Sequence, residues 1–169
     1  MIKNLKKSVT AVAVVALFFS VNANAQSPKF GIGLNVGAGT SSGTNLAIGG
    51  DLRYQFDIDK QLSVPITAGY TNIGVKNSDL SIGFIPVKAG LKYFFNDTGA
   101  GPYALAEAGA QFAVGSGSSI YGDDTRFIYS PAIGYAWSNG LDLGVKYEGT
   151  SGAANLGYYG LRLAYGFKL

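Results

Sequence analysis

The chain has 169 residues, enough for one domain or two small ones, and its 47% hydrophobic and 14% charged residues exclude a disordered chain. It contains no Cys and no His, which removes disulfides, thiolate nucleophiles, imidazole acid–base pairs and ordinary zinc or haem sites. The formal net charge of +3 comes from Lys3, Lys6 and Lys7; beyond them the basic and acidic residues balance at ten each, so the basic pI carries no nucleic-acid signature and no nucleic-acid partner is expected.

Residues 1–25 have the form of a secretory signal peptide. Lys3, Lys6 and Lys7 supply the positive start, Val9 to Phe19 an apolar run too short to cross a bilayer as a helix, and Ala23-Asn24-Ala25 a small-residue cleavage pattern. No Cys follows the apolar run, which excludes a lipid-anchored lipoprotein. The expected mature chain is Gln26 to Leu169, a single exported domain over 26–169.

From Phe30 onward a period of two dominates, the mark of half-buried strands. Eight segments alternate: Phe30–Gly39, Leu46–Ile58, Leu62–Thr71, Gly83–Phe95, Pro102–Val114, Arg126–Trp137, Leu141–Glu148 and Leu156–Leu169. Most reach the 9–11 or so residues that a tilted membrane-spanning strand needs. In the fifth, Tyr103 and Leu105 fall on the polar side, which implies either a bulge or an apolar plug. Pro65, Pro86 and Pro131 lie inside segments and each removes a ladder donor, so local bulges or shifted strand limits are expected there. The separators alternate as well. Asp57–Gln61, Asn96–Gly101 and Ser138–Gly140 are compact turns, whereas Thr40–Asn45, Asn72–Ser81, Gly115–Thr125 and Gly149–Asn155 are mostly longer and rich in Gly, Ser, Asn and Asp. Short turns at one end and longer loops at the other follow the outer-membrane barrel pattern, and an even strand number puts both termini on the short-turn side.

A soluble barrel alternates too, with its apolar face inside. Three features favour lipid outside. Charges keep to the polar parity on every strand, as expected where an Arg or Lys facing lipid near the midplane costs about 2–4 kcal/mol. Aromatics gather near the strand ends in two belts: Phe30, Phe56, Tyr93, Phe95, Tyr135, Trp137, Tyr165 and Phe167 at one, and Tyr70, Phe112, Phe127, Tyr129, Tyr147 and Tyr159 at the other. The polar face is mostly Gly, Ala, Ser and Thr, which suits the narrow lumen of eight strands better than a solvated surface.

The last residues, Arg162-Leu-Ala164-Tyr-Gly-Phe167-Lys-Leu169, resemble the C-terminal insertion signal of such barrels, with Arg162, Ala164, Phe167 and Leu169 at its positions. The final residue is Leu169 where an aromatic is commoner. Over all eight segments the chain resembles the small eight-stranded outer-membrane β-barrel families, OmpA/OmpX-like and porin-like. The stretch Phe84-Ile-Pro-Val-Lys-Ala-Gly-Leu-Lys-Tyr-Phe-Phe95, followed by Gly101-Pro-Tyr-Ala, is most like the Bacteroidetes-type version. The resemblance implies an all-β, antiparallel up-and-down transmembrane barrel in the bacterial outer membrane. It also implies contact with outer-membrane lipid and lipopolysaccharide, dependence on periplasmic chaperones and the barrel insertion machinery, and a monomer.

Chemistry is sparse. Asp123 and Asp124 suggest a dyad or cation ligands, but adjacent residues diverge and a solvated turn is favoured; Asp57 and Asp59, flanking a turn, are read the same way. Gly115-Ser-Gly-Ser-Ser lacks the Lys-Ser/Thr of a phosphate loop, and Asn96-Asp97-Thr98 is a turn despite its glycosylation pattern. No catalytic, cofactor or metal residue is expected. The lumen charges are Asp51, Arg53, Asp57, Lys88, Lys92, Glu107, Asp142, Lys146, Glu148 and Arg162, with Arg126 and Lys168 near the ends. Near-balance of sign in a narrow lumen favours a plugging ion-pair network, hence a non-enzymatic structural or surface-interaction barrel. The alternative is a narrow channel for ions or small solutes.

Overall fold

The computed structural model describes residues 29–78, 80–115, 125–151 and 156–168. The segment read as a leader, the Asp123–Asp124 pair, Leu169 and most of the loops after Val114 and Thr150 lie outside them. Eight strands follow in order: β1 (Lys29–Gly39), β2 (Thr44–Asp57), β3 (Leu62–Val75), β4 (Ser81–Phe94), β5 (Gly101–Val114), β6 (Arg126–Ala136), β7 (Leu141–Thr150) and β8 (Gly157–Lys168). Each pairs antiparallel with its sequence neighbour, and β8 returns to pair with β1, so the sheet closes into a barrel without an edge. Closure satisfies the ladder donors and acceptors within the sheet, which a hydrocarbon surround demands.

The alternation of side chains sorts the two faces. Outward stand Ile32, Leu34, Val36, Ile48, Leu52, Val87, Leu91, Ile133, Val145, Leu161 and Leu163, with Leu34 at 71% exposure. Inward stand Arg53, Lys88, Lys92, Glu107, Lys146, Glu148 and Arg162, all under a tenth exposed. A water-soluble fold has the reverse order, because burying charge is costly and exposing a continuous apolar belt drives association. At the short-turn rim Tyr93 and Phe95, Tyr135 and Trp137, and Tyr165 and Phe167 stack in pairs along the outside, their ring centroids 5.8, 4.8 and 4.9 Å apart. At the opposite rim Tyr147 sits between Tyr129 and Tyr159. The two girdles match the two bilayer interfaces.

The short turns are built locally. The Asp59 carboxylate accepts from the amides of Gln61 and Leu62, both at 2.7 Å, and the Asn139 side chain from the amide of Leu141. Gly140 takes φ 97° at the last of them, a conformation that disfavours any side chain.

Two expectations need correction, and a third, open between two readings, resolves. Half of the segment 72–81 is strand: β3 runs to Val75 and β4 starts at Ser81, because Ile73 pairs across with Ile82 and both turn inward onto apolar neighbours. The prolines carry no register shift. Pro65 and Pro86 keep their partners Gln55 and Gln111, and Pro131 keeps Ala106. Their missing donors instead leave pairing lapses on one side only, at the β3–β4 seam near Pro65 and Pro86 and at the β6–β7 seam near Pro131. The one register shift among the paired strands falls in β2, between Thr44 and Ala47. Tyr103 and Leu105 resolve as an inward apolar pair, since both ladders of β5 run without a shift.

Candidate functional site: the barrel lumen

Small inner residues make the lumen possible. Gly33 on β1 faces the guanidinium of Arg162, and a Cβ there would lie 2.7 Å from Nη2, so the glycine leaves room for the arginine to cross towards β2. The lumen then divides into three levels along its axis.

At the loop end the filling is apolar. Ala47, Ile73, Ile82, Phe84, Leu156 and Tyr158 form one buried cluster. Composition hides this layer, because Ile73 and Ile82 belong to a stretch of loop character and Phe84 shares its parity with Lys88 and Lys92. Extending the strands by a turn-length of residues and following their parity would have found it.

The middle holds ion pairs, three of which reach across the lumen between strands that are not neighbours. Arg162 on β8 grips Asp51 on β2 with two nitrogens, Nη2 to Oδ1 at 2.6 Å and Nε to Oδ2 at 3.0 Å; the amide of Asn35 donates to the same carboxylate at 2.8 Å. Arg53 on β2 donates through Nη2 to Glu107 on β5 at 3.2 Å and through Nε to Thr67 at 3.0 Å, and the Thr67 hydroxyl donates on to Glu107 at 2.6 Å. Lys88 on β4 is in direct contact with Glu148 on β7, with Glu107 at 3.9 Å, and Lys146 joins Glu148 at 3.2 Å. Fork-shaped, charge-assisted contacts of this kind fix geometry as well as charge.

Towards the short turns Lys92 donates to Asp142 at 2.7 Å, and the Tyr103 hydroxyl donates to the other oxygen of that carboxylate at 2.7 Å. The same ammonium lies 3.9 Å from the Tyr103 ring centroid and 5.0 Å from that of Phe94. Asp57, which sequence alone also places in a solvated turn, is buried. It accepts from Gln55 at 2.8 Å and Ser63 at 2.7 Å and pairs with Lys29 at 2.8 Å. Below this level opens a vestibule of about 480 Å³, lined among others by Lys29, Arg53, Lys92, Asp142, Arg162 and Lys168.

Thus all ten named lumen charges stand inside and enter ion pairs. Gln55, Thr67 and Tyr103, which fall on the polar side of their strands, join them, as does Lys29, which escaped notice because it precedes the first obvious alternating residue. Arg126 begins β6 at the loop end, away from this set, and Lys168 lines the vestibule mouth. Of the residues at insertion-signal positions, Arg162 and Ala164 point inward and Phe167 outward. Every described lumen carboxylate accepts from at least one cation, which leaves none free as a base. Among the described residues no group of three or more His, Cys, Asp or Glu is placed to hold a metal ion.

Known proteins sharpen this picture. The N-terminal β-barrel domain of Pseudomonas aeruginosa OprF superposes with a TM-score of 0.60 at 15% identity, covering 85% of this chain and 100% of that one. Ail, the attachment invasion locus protein of Yersinia pestis, gives 0.58 at 17% identity over 84% of this chain and 99% of its own. A de novo designed transmembrane β-barrel gives 0.53 at 16% identity over 82% and 95%. At such identities the likeness is one of fold. No curated protein sequence matches the chain. The family described as the outer membrane protein beta-barrel domain matches residues 11–168. The edgeless barrel with outward aliphatics and two aromatic girdles agrees with that match, and the chain belongs to the outer membrane protein β-barrel domain family.

Proposed function

We propose that this barrel is a non-enzymatic structural or surface-interaction protein of the outer membrane whose lumen is closed to through-passage. The observation that carries the reading is the set of cross-lumen pairs, Arg162–Asp51, Arg53–Glu107, Lys88–Glu148 and Lys92–Asp142, backed at the loop end by the apolar cluster around Phe84. Pulling such pairs apart inside a low-dielectric wall strands uncompensated charge, which opposes opening. The loops Thr40–Asn45 and Gly115–Thr125, with their two neighbours at the same end, are the surface offered to lipopolysaccharide or other molecules outside. Planar-bilayer recording of the purified barrel tests closure: silence is expected. Stepwise conductance that vanishes on altering Lys88 or Glu107 would reject it.

The channel reading draws on the vestibule, which already opens part of the lumen at the short-turn end. It predicts that Phe84→Ala, which thins the apolar layer, raises conductance from a non-zero starting level. Closure predicts silence in the parent. A screen of the purified protein for lipid hydrolysis tests the non-enzymatic assignment, with no turnover expected.

The biogenesis reading belongs to the same proposal. Residues 1–25 are removed on export, so intact-mass measurement of the protein from membranes should give a chain starting at Gln26. Insertion uses the periplasmic chaperones and insertion machinery, and the barrel is a monomer with lipid as its neighbour, which light scattering in detergent checks.

A further inference from the structure

The vestibule carries more positive charge than its surroundings neutralise. Five basic residues line it, Lys29, Arg53, Lys92, Arg162 and Lys168, against one acid, Asp142. Behind them the acids Asp51, Asp57 and Glu107 balance part of this charge, but Glu107 is shared with Lys88. Six lumen cations thus face five lumen carboxylates, before Lys168 at the rim is added. An uncompensated positive charge next to a low-dielectric wall attracts an anion.

The donors point the same way. Arg53 is 6% exposed and lines the vestibule, yet among the described residues its Nη1 has no hydrogen-bond acceptor, although Nε and Nη2 are both engaged. A buried guanidinium N–H without an acceptor is costly, because the charged group has given up water without a replacement. Arg162 is similar. Its Nε and Nη2 are spent on Asp51, while Nη1 reaches Asp142 only at 3.9 Å. Both guanidinium groups therefore line one cavity of about 480 Å³, Arg53 with a buried Nη1 that lacks an acceptor and Arg162 with its Nη1 beyond hydrogen-bond reach of Asp142. That space exceeds the roughly 30 Å³ share of a single water many times over.

We propose that the vestibule at the short-turn end is an oxyanion-binding site, in which Arg53 and Arg162 hold the carboxylate or phosphate group of a small molecule and Lys29, Lys92 and Lys168 supply the surrounding charge. Guanidinium forks match both oxyanions, so the two ligand classes share one recognition chemistry. The site is reached from the short-turn side and does not depend on whether the lumen conducts.

The chain has three arginines, Arg53, Arg126 and Arg162, so Nε-detected NMR of the folded barrel in detergent micelles can separate them. Arg126 lies at the loop end and serves as the internal control. The probes are inorganic phosphate in one arm and benzoate in the other, each against sodium chloride at matched ionic strength. Saturable shifts at Arg53 and Arg162 but not at Arg126 are expected. Saturation by phosphate alone assigns a phosphate, and by benzoate alone a carboxylate. Arg53→Lys keeps the pair with Glu107 but removes the fork, and should weaken binding about tenfold, the worth of one charge-assisted hydrogen bond. Shifts that rise linearly with both probes, that chloride reproduces, or that appear equally at Arg126 would overturn the site, and this holds on the parent protein alone if the variant fails to fold.

Discussion

Glu107 shows what single residues contribute. It takes a hydrogen bond from Thr67 and pairs with Arg53 and Lys88 at 3.2 and 3.9 Å. Glu107→Gln keeps the shape and removes the charge, so it leaves the buried Arg53 without a counter-charge while Lys88 keeps Glu148, and should cost about 3–5 kcal/mol, read as a lowered urea midpoint for unfolding from lipid vesicles. Replacing Arg53 and Glu107 together by apolar residues of similar volume should cost less than the two single changes added, which a double-mutant cycle measures. Tyr103→Phe should be milder. It removes one hydrogen bond to Asp142, which keeps Lys92, and a loss of about 1–2 kcal/mol is expected in the same titration. The charged residues were legible in the sequence because parity marks them; their partners were not. Which acid meets which base depends on how far strands are staggered around the ring, and alternation carries no information on stagger. Hence Asp57 reads from sequence both as a lumen charge and as part of a solvated turn, and only the register places Ser63 opposite it.

Along a strand, the outward positions answer to hydrocarbon. Leu34 lies mid-strand on β1 between Leu163 of β8 and Gly50 of β2. Leu34→Arg should destabilise the inserted barrel by about 2–4 kcal/mol in vesicles, whereas Lys at the rim position of Phe167 should cost about 1 kcal/mol or less in charge burial. The proline seams make a second prediction at this level. Where pairing lapses beside Pro65 and Pro86 on β3–β4 and beside Pro131 on β6–β7, amide exchange should be faster than along the unbroken β1–β8 and β4–β5 ladders. Strand number, order and outward face were all legible, since a period of two needs only local sequence. Strand ends were not. Residues such as Asn72 and Ser81 have turn character, and it is the contact between Ile73 and Ile82 across the seam that keeps them in the ladder. The same limit explains why bulges or shifted strand limits were expected at the prolines: a lost donor is visible in sequence, but the continuity of the ladder on its other side is not.

For the molecule as a whole, barrel closure should show as heat-modifiable migration, with unheated protein running faster on a gel than boiled protein; equal mobility of both forms would count against a closed barrel in detergent. The closing pair has a further consequence. Lys29 meets Lys168 and Gly39 meets Tyr158, so the first strand of the ring waits for the last one synthesised. Every other seam joins strands adjacent in sequence, while this one closes the longest loop the ring can make, the slowest kind of contact to form. Until it forms, β1 and β8 each present a row of bare amides and carbonyls, and in hydrocarbon each such group costs several kcal/mol. A truncated copy lacking β8 thus has no half-finished state that lipid will tolerate. The bilayer acts as an inspector of length, admitting finished chains and leaving fragments in water.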